Sequence, residues 1–200
     1  MKIYSLNTLG DLHDPELCIL DQSPDGIGVK YSRLIRGRAI AAEFPTDAVV
    51  QMSPDRTGLR LGTLIGNTKR FLILHRDAKD LIAAEFAARG DRWPIEYLPF
   101  TVVNHKGRPH SGDYFFVNPV GTIDCVDHTE SQIEYFNGNP NKVMEIRRLV
   151  LDPDKLGDIP PLFRLPQAED RYFLDQGLKA RLDGEDFTNL LMSEVEVRAS

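Results

Sequence analysis

Two stretches of this 200-residue chain follow one order, and that order constrains the fold more than any other feature. FLILHRDAKDLIAAEFAARG with WPIEYLPFTVV (residues 71–103) and YFLDQGLKARLDGEDFTNLLMSEVEV (residues 172–197) each read as an aromatic-apolar strand, an Asp cap, an amphipathic helix, a Gly stop and a second strand. In the first, Asp77 is the expected N-cap and Asp80 sits at N3, where a carboxylate favours the helix dipole. Leu81, Ile82 and Phe86 follow at helical spacing before Gly90. In the second, Asp175 is the cap, Leu178 and Leu182 stand one turn apart, and Gly184 is the stop. This is the common grammar of β-α-β chains and needs no duplication to explain it. Its consequence is an α+β fold: a mostly antiparallel or mixed β-sheet with a few short helices packed on it.

The remaining segments add strands. KIYSLN alternates as a first strand, and CILD at 18–21 is a second, ended by Ser23-Pro24-Asp25-Gly26. AIAAEFP and AVVQM read as further short strands, IEYLPFTVV and DYFFVNPV as a hairpin, and GTIDCVD at 121–127 as another strand. Asn137-Gly138-Asn139-Pro140-Asn141 is the most turn-dense run and is expected as an exposed loop. VMEIRRLVL, a turn-rich DPDKLGDIPP and LFRL then lead into the second helix-bearing stretch. Residues 1–60 are expected as an N-terminal β-rich part and 61–200 as the core, together one compact unit.

The formal charge of −6 is unevenly placed. Residues 152–200 hold eleven Asp/Glu against six Lys/Arg, a net of −5, which leaves −1 for everything before them. Residues 11–29 add Asp11, Asp14, Glu16, Asp21 and Asp25 with no base. Acidic faces repel phosphates and attract basic proteins, so direct nucleic-acid binding is disfavoured. The plain alternative is a solvated surface. Lys30, Arg33, Arg36 and Arg38 form the one basic segment; it shows no helix pattern and is expected to pair with the acidic stretches. The N-terminus lacks an apolar h-region and no run approaches the roughly 18 apolar residues of a membrane span, which points to the cytoplasm and away from a membrane partner.

Chemistry was sought residue by residue. Cys125 and His128 in DCVDH have a spacing that suits a thiol–imidazole pair or two metal ligands, but zinc needs about four and only His13 and Cys18 are left to complete a set. Alternation puts Cys125 on the same face as Ile123, as a buried thiol would be. His75, His105 and His110 assemble no triad or metalloprotease frame. Gly26 and Gly28 lack a phosphate-loop frame, and no carboxylate pair stands out from the many present. The residues therefore call for no catalytic group, cofactor or metal. Trp93 and Tyr97, beside Pro94 and Pro99, are either an exposed recognition patch or core.

A resemblance carries the reading further. LGTLIGNTKRFLILHRDAKDLIAAEF, IEYLPFTVVNHKG, YFFVNPVGTIDCVD, IRRLVLDPDKLGDIPPLFRL and YFLDQGLKARLDGEDF occur in the order and spacing of a bacterial immunity protein family, immunity family eleven, typified by a Myxococcus antidote to a polymorphic toxin. The likeness covers about residues 61–192. It implies a non-enzymatic antitoxin that binds a cognate toxin effector by protein contact, without cofactor. On that reading the uneven charge suggests that Asp11, Asp14, Glu16, Glu185 and Asp186 face a basic toxin, with Trp93 and Tyr97 as the alternative face. Two other classes stand beside it: a small enzyme built on Cys125/His128 or a carboxylate site, and a regulatory binding module.

Overall fold

The computed structural model describes residues 1–139 and 142–199. In chain order the elements are β1 (Ile3–Asn7), β2 (Ile19–Leu20), α1 (Tyr31–Ile35), β3 (Val49–Gln51), β4 (Gly66–Asn67), β5 (Ile73–His75), α2 (Arg76–Ala88), β6 (Ile95–Val103) and β7 (Pro109–Pro119). They continue with β8 (Gln132–Tyr135), β9 (Val143–Arg148), β10 (Val150–Leu151), β11 (Leu162–Leu165), β12 (Ala168–Asp175), α3 (Gln176–Asp183) and β13 (Leu191–Val197). The fold is α+β, with short helices on mixed and antiparallel sheets.

The two helix-bearing stretches become two sheets of one design. The first runs β3-β6-β7-β5 and the second β10-β13-β1-β12-β11. In each, the helix connects two strands that are both antiparallel to a third strand lying between them: β7 in the first, β1 in the second. The outermost strand is parallel to the exit strand in both, β3 to β6 and β10 to β13. Even the register agrees. Leu74 faces Phe115 and His75 faces Tyr114, as Leu174 faces Tyr4 and Asp175 faces Ile3. Leu64 bridges Leu74 on the far side, as Leu162 pairs with Leu174. The likeness therefore runs deeper than the strand–helix–strand order.

The helix-facing residues of both sheets share one core. Leu72, Leu74, Ala78 and Ile82 meet Tyr172, Leu174, Leu178 and Leu182 in a single buried cluster, in which each fully buried side chain contributes about 1.5–3 kcal/mol of transfer free energy. α2 and α3 run antiparallel, as the Arg89–Asp175 ion pair at 2.6 Å and the Arg181–Glu85 pair show. The outer face of the first sheet is covered by residues between 18 and 52, including Leu20, Ile27, Leu34, Ile40 and Met52. The outer face of the second is covered by residues between 123 and 159, but only partway. Beyond that cover, Ser5, Asn7, Arg171 and Ser193 line an open cleft of about 470 Å³.

Arg164 ties the two halves together. It is fully buried and, among the described residues, has no carboxylate partner. It donates instead to the carbonyls of Leu34 (2.8 Å) and Ile35 (2.7 Å) at the end of α1, to Asn118 Oδ1 (3.2 Å) on β7 and to the Tyr172 hydroxyl (2.8 Å) on β12. Gly37 lies against it at φ 61°, where a Cβ would stand 2.8 Å from Arg164 Cδ. Only glycine satisfies both the left-handed backbone and that approach.

Several sequence expectations are corrected. AIAAEFP is not a strand: Ala41–Glu43 forms a 3₁₀ turn, because the Glu96 carboxylate takes the amides of Ile40 and Ala41, each at 2.9 Å. GTIDCVD is irregular, with one bridge from Val126 to Leu151. The cap of α2 is His75, whose Nδ1 accepts from the Asp77 amide at 3.3 Å, so Asp77 lies inside the helix and Asp80 beyond N3. The basic segment does hold a helix, the five-residue α1. VMEIRRLVL splits: β9 pairs with β8 in a separate ribbon, while β10 joins the five-stranded sheet. In the expected 137–141 loop, Asn137 and Gly138 have positive φ, and Pro140 and Asn141 lie outside the described residues. Asp175, Gly90 and Gly184 act as expected at their helix ends.

Candidate interaction surface

The structure brings together segments that are some 170 positions apart. The Asp11 amide donates to Asn189 Oδ1 at 2.6 Å, and Gly10 packs against the same side chain. Thr63 and Thr188 exchange amide-to-hydroxyl bonds of 3.1 and 2.9 Å, which docks the loop after α3 onto the segment before β5. The loop that carries Glu185 and Asp186, both exposed, is thus anchored to the segment that opens with Asp11 and continues to Asp14 and Glu16, and these two acidic segments are termed the acidic rim.

Their charges are not equally free. Arg60 pairs with Asp14 and, at 3.5 Å, with Glu16. The Glu16 amide, the largest cause, and Arg60 hold the Asp14 carboxyl below its ordinary range. Asp11 caps the His13 amide at 2.9 Å. Among the described residues no cation pairs with Asp11, Glu185 or Asp186. The basic segment does not reach this rim: Lys30 and Arg33 pair with Glu43, and Arg38 with Glu169.

Trp93 and Tyr97 are both half-buried and pack on the shared core from the helix-facing side of β6. Arg92 stacks 4.4 Å from the Trp93 ring and pairs with Asp158 at 2.9 Å. Lys79 lies 5.7 Å above the Tyr97 ring, and the Tyr97 hydroxyl is buried without a hydrogen-bond partner among the described residues. Burial first, then Asp91 and Asp80, push that hydroxyl's pKa up. The aromatic pair is therefore the margin of the core more than a free patch. α2 spans about 20 Å; its first turn adjoins Thr63 of the acidic rim, and Trp93 follows its far end.

Cys125 and His128 are not brought together as a reactive pair. Cys125 is fully buried and burial pushes its thiol up to about 12, which leaves no thiolate at neutral pH. His128 is exposed and lies 3.9 Å from the Asp124 carboxylate. No group of three or more His, Cys, Asp or Glu among the described residues is placed to hold a metal, and no helix among them is long and apolar enough to cross a membrane. What sequence reasoning missed is an unpaired sheet edge beside the acidic rim: β10 accompanies β13 only at Glu196 and Val197. No local signal reveals it, since it depends on the distant strand β1.

Comparison with known proteins follows the same geometry. No curated protein matches the chain. The family model described as Immunity protein family (Imm11) matches residues 29–197, a span that begins ahead of α1, takes in the basic segment, and encloses all three helices. A match over that share of the fold places this chain in the Imm11 immunity protein family.

Proposed function

We propose that this protein is an antitoxin that acts in the cytoplasm, binding a cognate polymorphic toxin and neutralising it stoichiometrically by protein contact rather than by catalysis. The observation that carries this reading is the family match across residues 29–197. The buried, protonated Cys125 and exposed His128 count against the Cys125/His128 form of the enzymatic alternative.

The acidic rim of Asp11, Asp14, Glu16, Glu185 and Asp186 supports a basic toxin surface as the partner. Its uncompensated carboxylates speed encounter, while a few buried anchors supply most of the affinity. The test is co-expression with the toxin encoded beside the gene, scored as growth rescue, followed by binding kinetics. Reversing Asp11, Glu185 and Asp186 to Lys is expected to slow association about tenfold at low salt and to flatten its salt dependence. Trp93→Ala and Tyr97→Ala serve as the competing face. Unchanged salt dependence in the rim variant, with loss in the aromatic ones, would reject the acidic surface.

A further inference from the structure

Because the two sheets share a register, each edge position in one has a counterpart in the other. β3 begins alongside β6 at Val49 and Thr101, and β10 alongside β13 at Val150 and Glu196. Two residues earlier on these exit strands stand Pro99 and Glu194. Thr101 sends its amide outward to Ala48, so the amide position of residue 99 faces the same edge. There proline supplies no N–H, and the edge cannot accept another strand at that point.

The second sheet has no such block. The Arg198 amide donates outward to Leu151, so the N–H and C=O groups of Met192 and Glu194 also point outward, while Ser193 and Val195 pair inward with Ser5 and Ile3. Among the described residues no strand lies beside Leu191–Val195 on that side. This open edge starts two residues after Asn189, which holds Asp11, so it continues directly from the acidic rim. Leu191 at its start is an exposed apolar side chain.

We infer that the outer edge of β13, from Leu191 to Val195, receives an extended basic strand of the toxin by main-chain pairing. This rests on the antitoxin reading and assigns it a surface. The charge selects the occupant. Asp11, Glu185 and Asp186 at the entrance lack cations among the described residues, and Glu194 and Glu196 flank the edge with only solvent-exposed partners, Lys2 and Arg148. A basic strand is attracted to this edge, whereas a second copy of the chain would set two Glu-bearing edges side by side.

Glu194→Pro imports the blocking residue of the first sheet. It removes an outward N–H and no bond to β1, so the fold is expected to survive; a circular dichroism spectrum and melting curve check this. With the neighbouring-gene toxin as the probe, wild-type protein is expected to bind, and Glu194→Pro to weaken binding about tenfold or more. Amide exchange on the wild-type pair needs no substitution: the Met192 and Glu194 amides should exchange fast in the free protein and become protected in the complex. Binding by wild type with no protection at these amides and no loss in Glu194→Pro overturns the edge while leaving the antitoxin reading intact. Failure of wild type to bind at all removes the antitoxin reading. A wild-type dimer that Glu194→Pro abolishes would show a second copy at the edge and overturn the assignment to the toxin.

Discussion

The first sheet buries Phe71, Leu98 and Phe116 on its outer face; at the matching positions the second carries Arg171, Ser193 and Ser5, and stands open. On the helix side both sheets carry the same kind of residue, Leu74 and Leu174, Ile82 and Leu182. The framework is thus set by the faces that look at α2 and α3, where apolar burial is shared. The outer faces are free to diverge, one into a second core and the other into exposed surface. That division gives the second half room for an interaction, with a polar floor and an unpaired edge, while the first half contributes stability.

The comparison breaks most severely at the residue that spans it. Arg164→Met fills a similar volume but leaves the Ile35 carbonyl and Asn118 Oδ1 without their donor and takes one donor each from the Leu34 carbonyl and the Tyr172 hydroxyl. Each buried group stranded in this way costs about 1–3 kcal/mol, so a total loss of about 4 kcal/mol is expected, measured by urea unfolding. If the two halves then melt separately, Arg164 is what couples them. A loss below about 1 kcal/mol would show that their shared core suffices.

A second effect, about half as large, distinguishes the two helix starts. Asp175 caps α3 through the Leu178 amide at 2.8 Å and is held by Arg89 at 2.6 Å, whereas His75 caps α2 through a 3.3 Å contact. Asp175→Ala is expected to cost about 2 kcal/mol and His75→Ala about 0.5 kcal/mol, by the range of N-cap losses. Equal costs would mean that the caps, unlike the outer faces, are interchangeable between the halves.

The effect that is smallest at neutral pH, where both thiols keep their protons, compares the two outer cores. Burial pushes Cys18, in the first, and Cys125, in the second, both up to about 12. The unfolded chain releases these protons from about pH 8.5, while the folded chain retains them. Stability from each thiol is therefore full below that pH and falls as pH rises toward 12, by up to about 1.4 kcal/mol per pH unit. Melting temperatures from pH 7 to 10.5 should fall less steeply in Cys18→Ala and Cys125→Ala than in wild type, and by similar amounts. A much weaker effect at Cys125 would show that the partial cover of the second sheet admits water.

What the sequence disclosed is what local chemistry decides. Asp175, Gly90 and Gly184 end their helices through contacts within a few residues, and Leu178 and Leu182 show a single buried stripe. The strand order within the IEYLPFTVV and DYFFVNPV hairpin was legible for the same reason. AIAAEFP misled because its amides are taken by Glu96, a side chain more than fifty residues away. Asp77 misled because His75 can cap two residues earlier. Of the interaction surface, the acidic composition was visible but its assembly was not: Asp11 meets Asn189 only once β1 is in place. The direction of the Glu194 amide depends on that same pairing and has no signature of its own.

The position of β1 also has a consequence in time. Within this fold β1 is synthesised first, yet both its neighbours, β12 and β13, come more than 160 residues later. At 5–20 residues per second a ribosome needs roughly 10–30 s to make them. β3, β5, β6 and β7, by contrast, are all present by residue 119. The first sheet can close while the chain is still growing; the second, with its open edge, cannot be complete until translation has passed β13. The edge from Leu191 to Val195 is then the last part of this fold to be made, and every truncated product that lacks β13 is without it.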